Sequence, residues 1–147
     1  GNRRIFIECP NYHNFVIDCQ VYDLQKIQKS DNMWTLLEFR DEFSRFYEHE
    51  CSPDIRVSLD SRLDILRERG NQAREPICKH LEDGIFELRA KTARVLYYYE
   101  PERQIIFVVA IIKKTDRVPR GTIVLAKQRR EMLRAEREKA SGLYKTH

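Results

Sequence analysis

No stretch of this sequence approaches the roughly 20 apolar residues that a membrane-spanning helix needs. The longest apolar run, Ile105 to Ile112, has the length of a buried strand. No signal-peptide pattern opens it. Four cysteines, Cys9, Cys19, Cys51 and Cys78, stand far apart without a CxxC pair, which excludes a recognisable zinc motif and a dense disulfide framework. They read as reduced thiols in a cytoplasm. There is no GxSxG, no Walker-type glycine loop, no HExxH and no dense carboxylate cluster beside a histidine, so the common hydrolase and nucleotide-binding signatures are missing. His13, His49, His80 and His147 are scattered, and no set of ligands has metal-site spacing.

What is present is a chain of 147 residues, 41% hydrophobic and 34% charged, enough to bury one core without staples. It reads as one soluble globular unit. The net charge of +4 is mild and does not by itself indicate nucleic acid. Its distribution is more telling. Between Lys113 and Lys139 ten basic residues face four acidic ones, an excess of six that exceeds the surplus of the whole chain.

The first 32 residues carry two apolar stretches, Ile5 to Ile7 and Phe15 to Leu24, around the turn-prone Pro10-Asn11; a strand pair, or a strand and a short helix, would satisfy them. Trp34 to Phe39 reads as a strand, and Asp41 as the N-cap of a short helix with Phe43, Phe46 and Tyr47 on one face. Ser52-Pro53-Asp54 combines a capping serine, proline at the first helical position and an acid in the first turn. The helix it opens repeats Ile55, Leu59, Leu63 and Leu66 along one side and stops at Gly70. Three segments rich in aromatic and β-branched residues, 85–90, 94–100 and 104–112, are separated by short polar turns and predict an antiparallel meander. Pro119 opens a last helix reaching about Ala140, with Ile123, Ala126, Arg130 and Leu133 on one side.

The meander carries the chemistry. If Lys91-Thr92 is the hairpin tip, Ala90 pairs with Ala93, and the next rung sets Arg89 directly opposite Arg94. Like charges so placed cost stability, which leaves two readings: a surface ladder neutralised by Glu87 and Glu100, or a clamp for a phosphate, whose oxygens suit planar guanidinium forks. Lys113 and Lys114 end the third strand and point to opposite faces, so at most one joins the arginines. Lys79 arrives from the segment before the meander. Tyr98 shares the arginine face in this register and could stack on a base. Lys127, Arg130, Arg134 and Arg137 form a helical stripe that could follow RNA, although Glu131 and Glu138, each four residues after a cation, equally suit an ordinary solvated helix.

The stretch 75–89 resembles a proline, lysine, leucine, glycine and "ELR" pattern of phage-derived RelE/HigB-like toxins. Arg94 to Tyr97 resembles that family's "RVLY" strand, Ile112 to Thr115 its "KKT" strand end, and Pro119 with Ala126 the start of its last helix. The resemblance spans roughly residues 33–135. It implies an α+β fold of the RelE/ParE type: an antiparallel sheet made of an N-terminal strand and a three-strand meander, two helices between them, and a C-terminal helix. The domain would occupy 33–140, with 1–32 an extension, either a strand pair or a leader, and 141–147 a tail.

As function the resemblance implies the toxin of a toxin–antitoxin pair: an endoribonuclease, or mRNA interferase, that cuts messenger on the translating ribosome without metal or cofactor. Partners would be a cognate helix-turn-helix antitoxin, messenger RNA and the ribosome, with operator DNA reached only through the antitoxin and no membrane. Arg89 and Arg94 match family arginines that hold the scissile phosphate, with Lys79 or Lys113 for proton transfer. Lys114, Tyr98, Lys127, Arg130 and Arg134 would contact RNA or ribosome. Val109 stands where many members have a histidine. That departure keeps open a ParE-like toxin that binds DNA gyrase without cutting RNA, and an inactive toxin-like protein that binds only its antitoxin.

Overall fold

The computed structural model describes residues 6–8, 19–23 and 33–145, with side chains over 33–140. Its elements are β1 (Phe6–Glu8), β2 (Cys19–Asp23), β3 (Thr35–Phe39), α1 (Glu42–His49), α2 (Pro53–Arg69), β4 (Cys78–Glu82), β5 (Ile85–Ala90), β6 (Ala93–Glu100), β7 (Gln104–Ile112) and α3 (Arg120–Lys145), with a 3₁₀ turn at Gly70–Gln72 after α2. The strands form one sheet in the order β1-β2-β3-β7-β6-β5-β4. The expected architecture of strand, two helices, meander and closing helix is present. Of the two options for the head, the described backbone takes the strand pair: β1 and β2 are antiparallel, and β2 continues antiparallel onto β3. The rest of 1–32, including the Pro10-Asn11 turn, and the end of the expected 141–147 tail lie outside the described residues; α3 itself runs on to Lys145.

Two features refine the expected antiparallel sheet. β3 and β7 run parallel, with Thr35 beside Gln104 and Leu37 beside Ile106, so the sheet is mixed. The α1–α2 connection carries the chain to the far edge, and the strands that follow fold back one beside another until β7 reaches β3. The second feature is β4, an edge strand beside β5 where a connecting segment was expected. Asp83 and Gly84 turn the chain between them, at φ of 50° and 77°. Two consecutive positive φ angles suit a tight hairpin, and Asp-Gly is a sequence that supplies them.

Helices cover both faces of the sheet, which explains why β6 and β7 are apolar almost continuously. On one side Leu36, Val95, Tyr97, Ile105 and Phe107 pack with Phe43 and Phe46 of α1 and Leu59, Leu63 and Leu66 of α2. On the other, Leu37, Leu96, Tyr98, Ile106 and Val109 pack beneath Ala126 and Leu133 of α3. A bulge pairs Leu96 with Val109 but Tyr97 with Phe107, and Val108 joins Val109 in the α3-side core.

One polar and one steric detail fix the start of α1 and the end of α2. Asp41 occupies the N-cap of α1 but makes no side-chain capping bond. The fully buried Glu38 of β3 serves instead: its carboxylate accepts from the Ser44 backbone N–H at 2.9 Å and from the Ser44 hydroxyl at 2.6 Å. Burial raises the Glu38 pKa to about 7 against these bonds. At the end of α2, Gly70 has φ of 52°, and a Cβ there would fall 2.0 Å from the Trp34 indole. Glycine therefore meets both a backbone and a packing demand.

Candidate functional site

The β5–β6 hairpin turns at Lys91-Thr92, with Lys91 at φ of 56°. Ala90 pairs with Ala93, and Arg89 lies directly opposite Arg94. One carboxylate lies between the two guanidiniums. Glu87, only 4% exposed, holds Arg89 Nε at 2.8 Å with one oxygen, and its other oxygen lies 3.8 Å from Arg94 Nε. Because both arginines meet Glu87 through Nε, their terminal nitrogens are directed elsewhere. Arg94 Nη1 donates to the carbonyls of Lys91 (2.7 Å) and Ala93 (2.9 Å), and Arg89 Nη1 lies 3.5 Å from the exposed Glu75. Burial pulls the Arg94 pKa below its ordinary value and the nearby Arg89 charge adds to this, while Glu87 opposes it. An arginine nevertheless stays protonated at working pH. Behind the hairpin, Arg62 of α2 donates to the Arg89 carbonyl at 2.9 Å, tying the strand to the helix layer.

Lys79 of β4 lies opposite Glu87, and the Lys113 backbone donates to the Thr92 carbonyl at 2.7 Å just past β7. Together Lys79, Arg89, Arg94 and Lys113 line one cavity of about 280 Å³. Lys114 is exposed and is not part of that lining, as the alternation of side chains requires. Arg117 and Asp116, from the loop leading to α3, complete the polar wall. In the sequence Arg117 is one of ten cations between Lys113 and Lys139 with nothing to distinguish it; the path of the loop before α3 brings it here. His80 stands at the rim, where its Nε2 accepts from the Gly84 N–H at 3.2 Å.

The remaining sequence candidates are placed elsewhere. Tyr98 is 1% exposed under α3 with the Arg134 guanidinium 5.1 Å above its ring, so it is not presented for stacking on a base. Stripe residues on α3 face the sheet. Lys127 and Arg120 both bind Glu82, whose pKa they hold down at about 2. Arg130, 6% exposed, grips the carbonyl and carboxylate of Asp83, the latter at 3.0 Å. Arg134 meets Glu100 at 3.3 Å. Glu100, expected to neutralise the arginine pair, is thus taken up by α3, and among the described strand residues Glu87 serves the two arginines. These cations dock the helix on the sheet, which is the ordinary structural use of such a stripe. Val109 is 3% exposed in the α3-side core opposite Leu96, so the position of the family histidine is filled with apolar packing.

No curated protein was found to match the chain. A family model described as "Phage derived protein Gp49-like (DUF891)" matches residues 49–131, from the end of α1 through the first half of α3, and so includes all five cavity lysines and arginines. Covering more than half of its length, that match means that the chain belongs to the Gp49-like family of phage-derived proteins, toxin-like proteins of toxin–antitoxin systems within the RelE superfamily.

Proposed function

We propose that this protein is an endoribonuclease toxin that cuts messenger RNA on the translating ribosome. The observation that carries the reading is the convergence of Lys79, Arg89, Arg94 and Lys113 on one cavity, with the two arginines directly opposed across a hairpin. Such an array suits a phosphate that gains negative charge during reaction. The RNA 2′-hydroxyl attacks its adjacent phosphorus, the bond to the 5′ oxygen breaks, and the products are a 2′,3′-cyclic phosphate and a 5′-hydroxyl end. Arg89 and Arg94 stabilise the charge that builds on the phosphoryl oxygens. The proton of the attacking 2′-hydroxyl passes to water, Lys79 or Lys113 gives a proton to the leaving 5′ oxygen and regains one from solvent, and the other cation holds the backbone. Glu87 aligns both guanidiniums through their Nε atoms before substrate arrives.

Membership in a toxin family implies a cognate antitoxin; we assign it to the helix-turn-helix class, with operator DNA reached through it. A second reading draws on Val109, whose apolar burial removes the family histidine as a general base. A toxin that binds gyrase, or a protein that binds only its antitoxin, does not need that base. The two are separated by adding purified protein to a translating extract and mapping new 5′ ends on the messenger. Cuts within translated codons that vanish in Arg89→Ala and Arg94→Ala support RNA cleavage. Intact messenger alongside arrested growth in cells refutes it and favours gyrase.

A further inference from the structure

Beside the cationic cavity lies a second, more open groove of about 650 Å³, and His80 belongs to the walls of both. Their charges differ. Five lysines and arginines face Glu87 and Asp116 around the first, a surplus of three positive charges, whereas Arg130 and Arg134 are balanced by Asp83 and Glu131 around the second. A phosphate backbone is therefore drawn to the first and not to the second. The groove offers π surface in place of charge. The exposed His80 ring meets Phe86 edge-on at 4.9 Å, Phe86 meets Tyr99 at 5.0 Å, and both Phe86 and Tyr99 keep part of their surface in the groove. Asp83 and Glu131, with side chains about two-thirds exposed, add acceptors at its margin. Aromatic faces, hydrogen-bond acceptors and no net charge suit a nucleobase better than a sugar phosphate.

We propose that this groove is a nucleobase site, in which His80, Phe86 and Tyr99 receive the base of the nucleotide next to the phosphate held by Arg89 and Arg94. The inference rests on the RNA-cutting reading and adds a subsite to it. Since His80 separates the two concavities, a strand crossing the β4 edge leaves its phosphate on one side of the imidazole and its base on the other.

The test is a titration at low salt, followed by fluorescence anisotropy, with labelled 2′-O-methyl oligoribonucleotides that resist cleavage. One is intact, and the others carry an abasic position at each site in turn. Stacking of one base predicts that wild type binds the intact strand about tenfold more tightly than one of the abasic strands. His80→Ala and Phe86→Leu each bring that ratio close to one, and Phe86→Leu, which keeps apolar contact with Tyr97 and lies outside the phosphate cavity, does so without changing affinity for the abasic strand. Arg89→Ala weakens all strands alike. A ratio near one in wild type, with binding still sensitive to Arg89→Ala, overturns the base site and leaves the phosphate reading standing. A ratio that survives both His80→Ala and Phe86→Leu also overturns it. No binding of any strand by wild type overturns the base site, and the RNA-cutting reading is then decided by the cuts in the translating extract.

Discussion

Glu87→Gln removes a charge while keeping the shape of the side chain that lies between Arg89 and Arg94, and its effect follows from their separation. The arginines are Cα partners on adjacent strands, and after the substitution no buried carboxylate lies between them. Breaking a fully buried ion pair costs about 3–5 kcal/mol. Arg94 is 12% exposed but Arg89 is 29% exposed, so solvent screens part of the loss and about 2–4 kcal/mol is expected. In a domain of this size that corresponds to a fall in Tm of roughly 5–15 °C. An anion in the cavity should replace the missing carboxylate, because a ligand that binds only the folded state stabilises it by mass action. Thermal melts of wild type and Glu87→Gln across a phosphate titration, at constant ionic strength, measure both effects. The variant should start lower and gain more from phosphate than wild type. A variant within about 0.5 kcal/mol of wild type, or one with the same phosphate dependence, refutes the view that Glu87 holds open an anion site.

Three further outcomes follow from the fold. Glu38 has a pKa of about 7 in the folded chain against an ordinary 4.5, so between those values the native state keeps a proton that the unfolded chain has lost. Its contribution is complete below pH 4.5 and declines by roughly 3 kcal/mol as pH rises through 7; urea melts of wild type and Glu38→Gln from pH 4.5 to 8 should converge or cross in that window, and a constant difference contradicts the burial argument. Gly70→Ala sets a Cβ against the Trp34 indole at a positive φ, and a loss of at least about 2 kcal/mol is expected by denaturant unfolding. Leu63→Ala, at a fully buried position between α2 and the sheet, should cost about 2–5 kcal/mol without altering the sheet's circular dichroism.

Where local rules determine geometry, the sequence was readable. A two-residue turn and the period of two suffice to set Arg89 opposite Arg94, and the leucine spacing with Ser52-Pro53 suffices for α2. β4 is not legible in the sequence because it is an edge strand that is polar on both sides: Lys79 faces the cavity, His80 the rim, and within it only Cys78 is buried. The Asp83-Gly84 pair was nevertheless a usable hairpin signal. Helical spacing correctly puts Lys127, Arg130 and Arg134 on one side of α3, but it is silent about which way that side turns. The answer depends on Glu82, Asp83 and Glu100, acceptors 34 to 47 residues earlier in the chain.

The same distinction applies to the chemistry. Cations of the β5–β6 hairpin, of β4 and of the segment just past β7 form the cavity, so within the basic C-terminal third Lys113 and Arg117 mark where RNA would lie, whereas the charge on α3 is spent on docking. Its tight pairing with Asp83 and Glu82 also holds the β4–β5 turn, and through it the ridge carrying His80 and Lys79. Removing an α3 cation would therefore act on the site through the placement of β4 rather than through lost attraction. That role has a signature in salt dependence: Arg89→Ala should lower the slope of log binding against log salt by about one phosphate contact. Arg130→Ala should weaken binding with the slope unchanged. An equal fall in slope for both variants would return Arg130 to the RNA-binding surface.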